Sequence, residues 1–463
     1  MSSRPTAPEW LDVPADANAL AEGVWPASAL REDGRMLIAG IPVTALAARF
    51  GTPLYVLDEE EVRSRAVRIR SAFAEAFDRF GAEVVVYYAG KAFLCTEVVR
   101  WVTAEGLRVD VCSGGELAVA LAADADPALL GFHGNNKSVA EIERAVAAGV
   151  GAIVIDSREE IDRVAAAASA SGRVQPVRLR VNSGVHAHTH DYLATAHDDQ
   201  KFGVPLADAP SHVEAIRAHA SLRFLGLHCH IGSQIFESGG FAESASRLIA
   251  VHAQLGADVP ELNLGGGFGI AYTSADTPTP IEEIAIGMAE AVSAACAEHG
   301  IPVPRIAIEP GRWIVGPAGV TLYTVGTVKP VQVDGGVRTY VSIDGGMSDN
   351  ARPALYGADY SARLAARVTD AEPALVRVAG KHCESGDIVV DAEYLPSDVR
   401  PDDLLAVAAT GAYCFSLASN YNYLARPAVV AVRDGEPRVI VRGETERDLL
   451  ARDAGIAPTE DAR

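Results

Sequence analysis

The sequence predicts an eight-stranded TIM-type (β/α)8 barrel joined to a discontinuous antiparallel β domain, which is built from the N- and C-terminal segments. Three observations predict it. From about residue 83 to residue 309, short apolar runs alternate with alanine-rich helical segments. After about residue 316 the apolar runs continue without long helices between them. The polar residues of the first region collect at the C-terminal ends of its runs, where barrels carry their chemistry.

The candidate barrel strands are Glu83–Lys91, Leu107–Cys112, Leu129–Gly134, Gly151–Asp156, Pro176–Asn182, Phe224–His230, Glu261–Gly267 and Arg305–Glu309. Helical patterns lie between them, such as Ser138–Gly149 and Glu159–Gly172. Ser138 with Glu141 predicts a capping box, and Gly149 and Gly172 are suited to end helices. Strands alternating with helices imply parallel βα units, and eight of them close on themselves. Beyond these, Thr321–Val333, Arg338–Ser342, Ala374–Val378, Ile388–Ala392, Asp403–Val407 and Ala428–Arg433 read as strands of an antiparallel domain. Short strands between Met36 and Leu57 are expected to join it. The division predicted is 1–57 for the extension and first part of the β domain, 58–315 for the barrel and 316–463 for the rest. Residues 1–30 and 455–463 read as loosely ordered ends.

At 463 residues, with 49% apolar and 22% charged residues, the composition is that of a globular enzyme of two domains. A net charge of −21 argues against nucleic acid or an anionic membrane as the main partner. The six cysteines form no C-x-x-C pair, which suits reduced thiols in a cytosol. No apolar signal core opens the chain and no run reaches the ~20 apolar residues of a spanning helix, so a cytoplasmic location is expected.

Lys91 closes the buried run that begins at Val84. Burial disfavours a charged amine, and a neutral one can form a Schiff base with an aldehyde. A lone lysine there would read as a snorkelling surface residue; the other strand ends change that reading. Gly265-Gly266-Gly267-Phe268-Gly269 follows the seventh strand and Glu309-Pro310-Gly311-Arg312 the eighth, where barrels often bind phosphate. Glycines there let backbone N–H groups converge on an anion. Ile270 in the sixth position excludes a dinucleotide fingerprint. Glu309 is placed to keep a pyridinium nitrogen protonated, preserving the ring as an electron sink. Arg312 offers a planar fork to a carboxylate. His228 and His230 alternate along the sixth strand, so both point into the barrel mouth. His230 is assigned to stack on a flat cofactor and Ser233 to reach its phosphate. The cluster His186–His190 with His197 reads as a lid rather than a metal site, because it lies in a long insertion after the fifth strand. No metal is expected. Cys383, beside Glu384, reads as a positioned acid rather than a small core residue.

Taken in order, these residues resemble the pyridoxal-phosphate-dependent amino-acid decarboxylases of the alanine-racemase-like fold, most closely the diaminopimelate-specific branch. The motifs are YAGKAF around Lys91, VCSGGEL from Val111, HGNNKS from His133, DQKFG from Asp199, HCHIGSQ from His228 and LGGGFG from Leu264. EPGR from Glu309, RPALYGA from Arg352, CESGD from Cys383 and GAYCFSLASNYN from Gly411 complete the set. The resemblance runs from roughly residue 35 to 445. It implies that Lys91 carries pyridoxal 5'-phosphate, held by His230, Ser233, Gly266, Gly267, Glu309, Gly311, Arg312 and Tyr413. It implies that Arg312, Arg352 and Tyr356 bind the distal carboxylate of the substrate, Glu384 its amino group, and that Tyr413 touches both cofactor and substrate. Cys383 would return a proton to the α-carbon, and Cys383 and Glu384 would come from the partner subunit of a homodimer. The chain departs from many relatives at Phe93, where they carry Asn, and in its first thirty residues.

The activity implied is decarboxylation of meso-2,6-diaminopimelate to L-lysine and CO2. A decarboxylase of ornithine, arginine or a carboxylated polyamine is a rival, but it would have no use for a distal-carboxylate clamp. An amino-acid racemase would need two bases. A non-catalytic pyridoxal-phosphate carrier would need neither Cys383 nor Glu384.

Overall fold

The computed structural model describes residues 7–185, 200–256, 259–333 and 336–456. They divide into two units. One comprises Val62–Ile270 and Thr277–Ile314; the other comprises the described residues up to Glu61, Ala271–Asp276, and those from Val315 onward.

The first unit is the barrel. Its strands are Val84–Ala89, Arg108–Val111, Leu130–Phe132, Ala152–Ile155, Gln175–Asn182, Leu222–His228, Glu261–Asn263 and Arg305–Ile308. Each pairs in parallel with the next. The ring closes where Ile306 lies opposite Val84. A two-residue strand, Val204–Pro205, adds to the outside of Gln175–Asn182. Both faces of the barrel strands are covered, which is why they read as unbroken apolar runs. The capping box is present: Glu141 N–H donates to the Ser138 hydroxyl and the Glu141 carboxylate accepts from Ser138 N–H. The helix ends at Gly149, whose φ of +81° is left-handed. Several strands stop short of their predicted ends, so Lys91, His230, Gly267 and Glu309 all sit just past a strand.

In the second unit, one sheet runs Ile388–Pro396, Pro373–Ala379, Gly336–Ile343, Gly319–Val333, Leu54–Asp58, Ala428–Arg433, Glu436–Val441. Leu404–Val407 also pairs with Gly319–Val333, and Ala362–Leu364 pairs with Leu404–Val407. The expectation of a purely antiparallel domain needs correction, because the sheet is mixed. Leu54–Asp58 runs parallel to Ala428–Val432, and Thr339–Ser342 parallel to Val376–Ala379. Periodicity reports which face of a strand is buried, not which neighbour it pairs with. Between Met36 and Leu57 only Leu54–Asp58 joins that sheet. Leu30–Glu32, Arg35–Ile38 and Ile41–Pro42 form a separate three-stranded sheet, followed by a helix, Val43–Phe50.

The N-terminal segment is not uniformly loose. Ala17, Val24 and Trp25 are buried, and Val24 and Trp25 join a core with Met36, Leu54, Val56, Leu322, Ala406 and Val430. The Asn18 amide donates to the Thr369 carbonyl at 3.0 Å. Ala271 belongs to the same core, so this unit draws on three separate stretches of chain. Among the described residues, no helix is long and apolar enough to cross a membrane.

Candidate active site

The barrel centre is built around Glu309, which is buried just past the eighth strand. The His228 ring nitrogen Nε2 lies 3.1 Å from its carboxylate, and the Asn263 amide donates to it at 2.7 Å. His133 Nε2 sits 3.3 Å from Glu309 and 3.2 Å from Asp110. The two histidine rings meet edge to face, 5.0 Å between centroids. Burial alone would raise the Glu309 pKa; His228 and His133 overcome it and hold the carboxyl well below its usual range. Burial also works against a charged His133, but Glu309 and Asp110 push its pKa up to about 9. Burial lowers His228 to about 4, against the pull of Glu309. Burial raises Asp110 to about 6, with Glu309 adding to the rise. The centre at neutral pH is therefore an anionic Glu309 beside a protonated His133 and a neutral His228. His133, His228 and Glu309 bring three ligand atoms within 4.8 Å of one another. A metal there would have to displace the proton that Glu309 and Asp110 favour on His133.

His230 lies nearby and its Nδ1 accepts the Gly266 N–H at 3.2 Å. Burial, then the Lys91 charge, depress its pKa well below the ordinary value, so its ring is neutral. The Gly265 N–H donates to the Asn263 side chain at 2.9 Å. Gly269 N–H donates to the Ile235 carbonyl at 2.9 Å, so three of the glycine N–H groups expected to converge on an anion are already bonded within the protein. Glycine is required at both 266 and 267 by space. A Cβ on Gly266 would lie 2.0 Å from the Glu309 carbonyl oxygen; one on Gly267, where φ is +113°, would lie 2.4 Å from that of Gly232. Gly311 is tight as well, though less so: a Cβ there would fall 2.9 Å from the Ala89 carbonyl oxygen. Beside this cradle the Arg312 guanidinium donates to the Ser233 hydroxyl at 2.7 Å, joining two residues the sequence picked separately.

Lys91 departs from expectation. It lies in a 3-10 turn, Gly90–Ala92, and is exposed, whereas Gly90 and Ala92 on either side are buried. The strand ends two residues earlier, so its apolar run does not enclose the amine. Phe93 is buried, and its backbone carbonyl accepts the Tyr88 hydroxyl. Lys137 of the HGNNKS motif is buried. Its ammonium bonds Glu160 at 2.8 Å and the carbonyls of Gly134 and Val154 at 2.7 Å, tying the loop after the third strand to the fourth strand and the helix that follows it.

The second unit holds the remaining candidates. Arg352 and Tyr356 bracket a five-residue helix. Arg352 is buried: its guanidinium donates to the Tyr360 hydroxyl at 2.5 Å and lies 4.6 Å from the Tyr272 ring centroid. Among the described residues no carboxylate pairs with it. Tyr356, by contrast, is 68% exposed. Cys383 is an exposed free thiol whose backbone N–H donates to Asn422 at 3.0 Å. The Glu384 carboxyl accepts from Gly386 N–H and the Ser385 hydroxyl, which hold its pKa below the ordinary value. Tyr413 is half-buried with a φ of +66°, a left-handed backbone uncommon for an aromatic residue. Three contributors were not anticipated: Asn263, Tyr272 and Tyr360. Asn263 was hidden because the predicted seventh strand ran on to Gly267. The His186–His197 segment lies outside the described residues.

A barrel whose mouth combines a lysine, a glycine cradle, a neutral histidine ring and a buried anionic glutamate is that of a pyridoxal-phosphate enzyme. Residues 62–316 match the family described as pyridoxal-dependent decarboxylase, pyridoxal binding domain. The chain is 51% identical, over 93% of its length and 98% of the relative's, to diaminopimelate decarboxylase of Mycobacterium bovis. It is 43% identical to that of Bacillus subtilis, over 91% and 96%. The crystal structure of diaminopimelate decarboxylase from M. jannaschii in co-complex with L-lysine superimposes with a TM-score of 0.84 at 31% identity, covering 93% of this chain and 98% of that one. The chain belongs to the diaminopimelate decarboxylase family.

Proposed function

We propose that this protein removes CO2 from meso-2,6-diaminopimelate to give L-lysine, in the cytoplasm, as a homodimer with shared sites. Family membership supports the reaction. The observation that carries the substrate choice is Arg352, a buried guanidinium among aromatic rings with no paired carboxylate among the described residues, suited to an anionic substrate end. The barrel residues fit pyridoxal 5'-phosphate on their own geometry: Gly266 and Gly267 leave no room for side chains, and Glu309 is held as an anion. When bound, the cofactor supplies an electron sink for the charge left by the departing carboxylate.

The chain's own residues do the rest. Lys91 would hold the cofactor through Nζ. Glu309, kept ionised by His133 and His228, would keep its ring nitrogen protonated. Neutral His230 would stack against its ring. Gly267, Gly311, Ser233 and Arg312 would bind the phosphate end, and Tyr413 would meet cofactor and substrate. Arg312, Arg352 and Tyr356 take the distal carboxylate and Glu384 the distal amine. Cys383 delivers a proton to the α-carbon. The barrel is assigned to 58–315 without Ala271–Asp276, which goes with 1–57 and 316–463 to the β domain.

The direct test is CO2 release from diaminopimelate beside ornithine and arginine; a preference for either of the latter overturns the substrate assignment. Sharing of sites is tested by mixing Lys91→Ala and Cys383→Ala proteins under subunit exchange. Each alone should be nearly inactive. The mixture should recover activity, because one site in each mixed dimer carries neither lesion. Mixed dimers without recovered activity would place Cys383 in its own chain's site or outside the chemistry.

A further inference from the structure

His382, Asp387, Tyr421 and Asn422 surround the Cys383–Glu384 segment and have no assigned part in the reaction. The segment is a tight turn: Glu384 N–H donates to the His382 carbonyl at 2.8 Å, and Ile388 N–H to that of Gly386 at 2.9 Å. Asp387 is buried beside it. One Asp387 oxygen accepts both the backbone N–H and the ring Nδ1 of His382, each at 2.8 Å; the other accepts Met347 N–H at 2.6 Å. With Nδ1 committed as donor, the His382 ring has one orientation, and its Nε2 is buried without a partner among the described residues.

The Tyr421 ring lies flat on that imidazole, 5.5 Å between centroids and 6° from parallel. From there the Tyr421 hydroxyl reaches the Glu384 carboxylate at 3.4 Å. The next residue, Asn422, accepts the Cys383 N–H at 3.0 Å. Cys383 and Glu384 are thus each held by a neighbour from 421–422, and Tyr421 is levelled on the His382 ring. A turn needs only its backbone bonds to close. Burying an imidazole with an unpaired nitrogen costs stability and gives the turn nothing it lacks. It does fix a plane on which Tyr421 can rest.

We infer that His382, oriented by Asp387, is a positioning residue that acts through Tyr421 and Asn422 to set the placement of the Cys383 thiol and the Glu384 carboxylate. This rests on the reading that Cys383 and Glu384 act on the substrate. The test uses full-length holoenzyme and three readouts: kcat and KM for diaminopimelate, cofactor content, and the rate of Cys383 alkylation by iodoacetamide followed on its peptide by mass spectrometry. His382→Ala should lower kcat at least tenfold and change the alkylation rate at least threefold, with cofactor content within twofold of wild type. Tyr421→Leu leaves the His382–Asp387 pair in place and should move kcat and alkylation in the same direction. Tyr421→Phe keeps the ring and should change KM by a few-fold with alkylation unaltered.

A folded His382→Ala enzyme with wild-type kcat and alkylation overturns the inference, as does a loss of thermal stability with alkylation unchanged. Should His382→Ala fail to fold, Tyr421→Leu decides: wild-type values in both readouts overturn it. Cys383→Ala tests the underlying reading separately. If that variant keeps full turnover, Cys383 is not the proton donor, while alkylation still reports whether His382 places the thiol.

Discussion

Glu309 in the barrel and Arg352 in the β unit are both buried charges, and they are built in opposite ways. Glu309 is wrapped by His133, His228 and Asn263, so its charge is balanced within the protein before any ligand arrives. Arg352 meets a hydroxyl and aromatic faces, and no carboxylate among the described residues. A charge balanced in advance is a fixed field, suited to holding one protonation state on a facing group. A buried guanidinium without a counter-charge is a receptor, because a bound anion recovers what burial took away. On the proposed assignment, the barrel centre would serve reactivity and the Arg352 site substrate choice.

That contrast can be broken at either side. The largest loss is expected from Lys91→Ala, which should abolish nearly all turnover and leave no borohydride-fixed cofactor adduct; retention of the adduct would move the cofactor elsewhere. Glu309→Gln should lower kcat by about 10²–10⁴-fold, the range for removing a tuned proton-holding group. A KM effect without a kcat effect would show that the fixed field does not reach the chemistry. Arg352→Ala should lower kcat/KM for diaminopimelate by about tenfold or more, because truncating one partner of a buried charged pair costs about 2–5 kcal/mol. Its cofactor content should be unchanged, and unaltered kinetics would remove the receptor role.

The smallest effect sharpens the balanced side. The folded pKa of His133 stands at about 9, above its ordinary value of 6.5. Its contribution to stability is therefore complete below pH 6.5 and lost as pH rises through about 9. His228, lowered to about 4, acts only below 6.5, where stability falls as the unfolded chain takes up its proton first. His133→Gln should flatten the fall in Tm between pH 6.5 and 9. An identical slope in both proteins would mean that His133 is not charged in the fold.

The barrel was legible because each of its strands is buried on both faces, leaving a plain apolar run with a polar residue at its exit. Glu309, His228, His230 and the glycines could be picked from that rhythm alone. The aromatic setting of Arg352 could not. Tyr272 comes from the short Ala271–Asp276 excursion in the middle of the barrel sequence, and nothing in its periodicity reveals where it packs. The parallel pairings of the β unit were hidden for a related reason: strand alternation carries no record of its neighbour. The exposure of Lys91 was missed because the strand stops at Ala89 and a turn follows.

The three-part origin of the β unit has a consequence for how the protein is made. Leu54–Asp58 is flanked in its sheet by Gly319–Leu322 and by Ala428–Val432, both of which leave the ribosome hundreds of residues later. At ordinary elongation rates of about 5–20 residues per second, this apolar strand waits tens of seconds for its partners. All eight barrel strands are synthesised in that interval, so the nascent chain can close its barrel while an early sheet-forming segment is still unpaired. Chaperone demand and aggregation during expression should therefore concentrate on the first sixty residues rather than on the catalytic barrel.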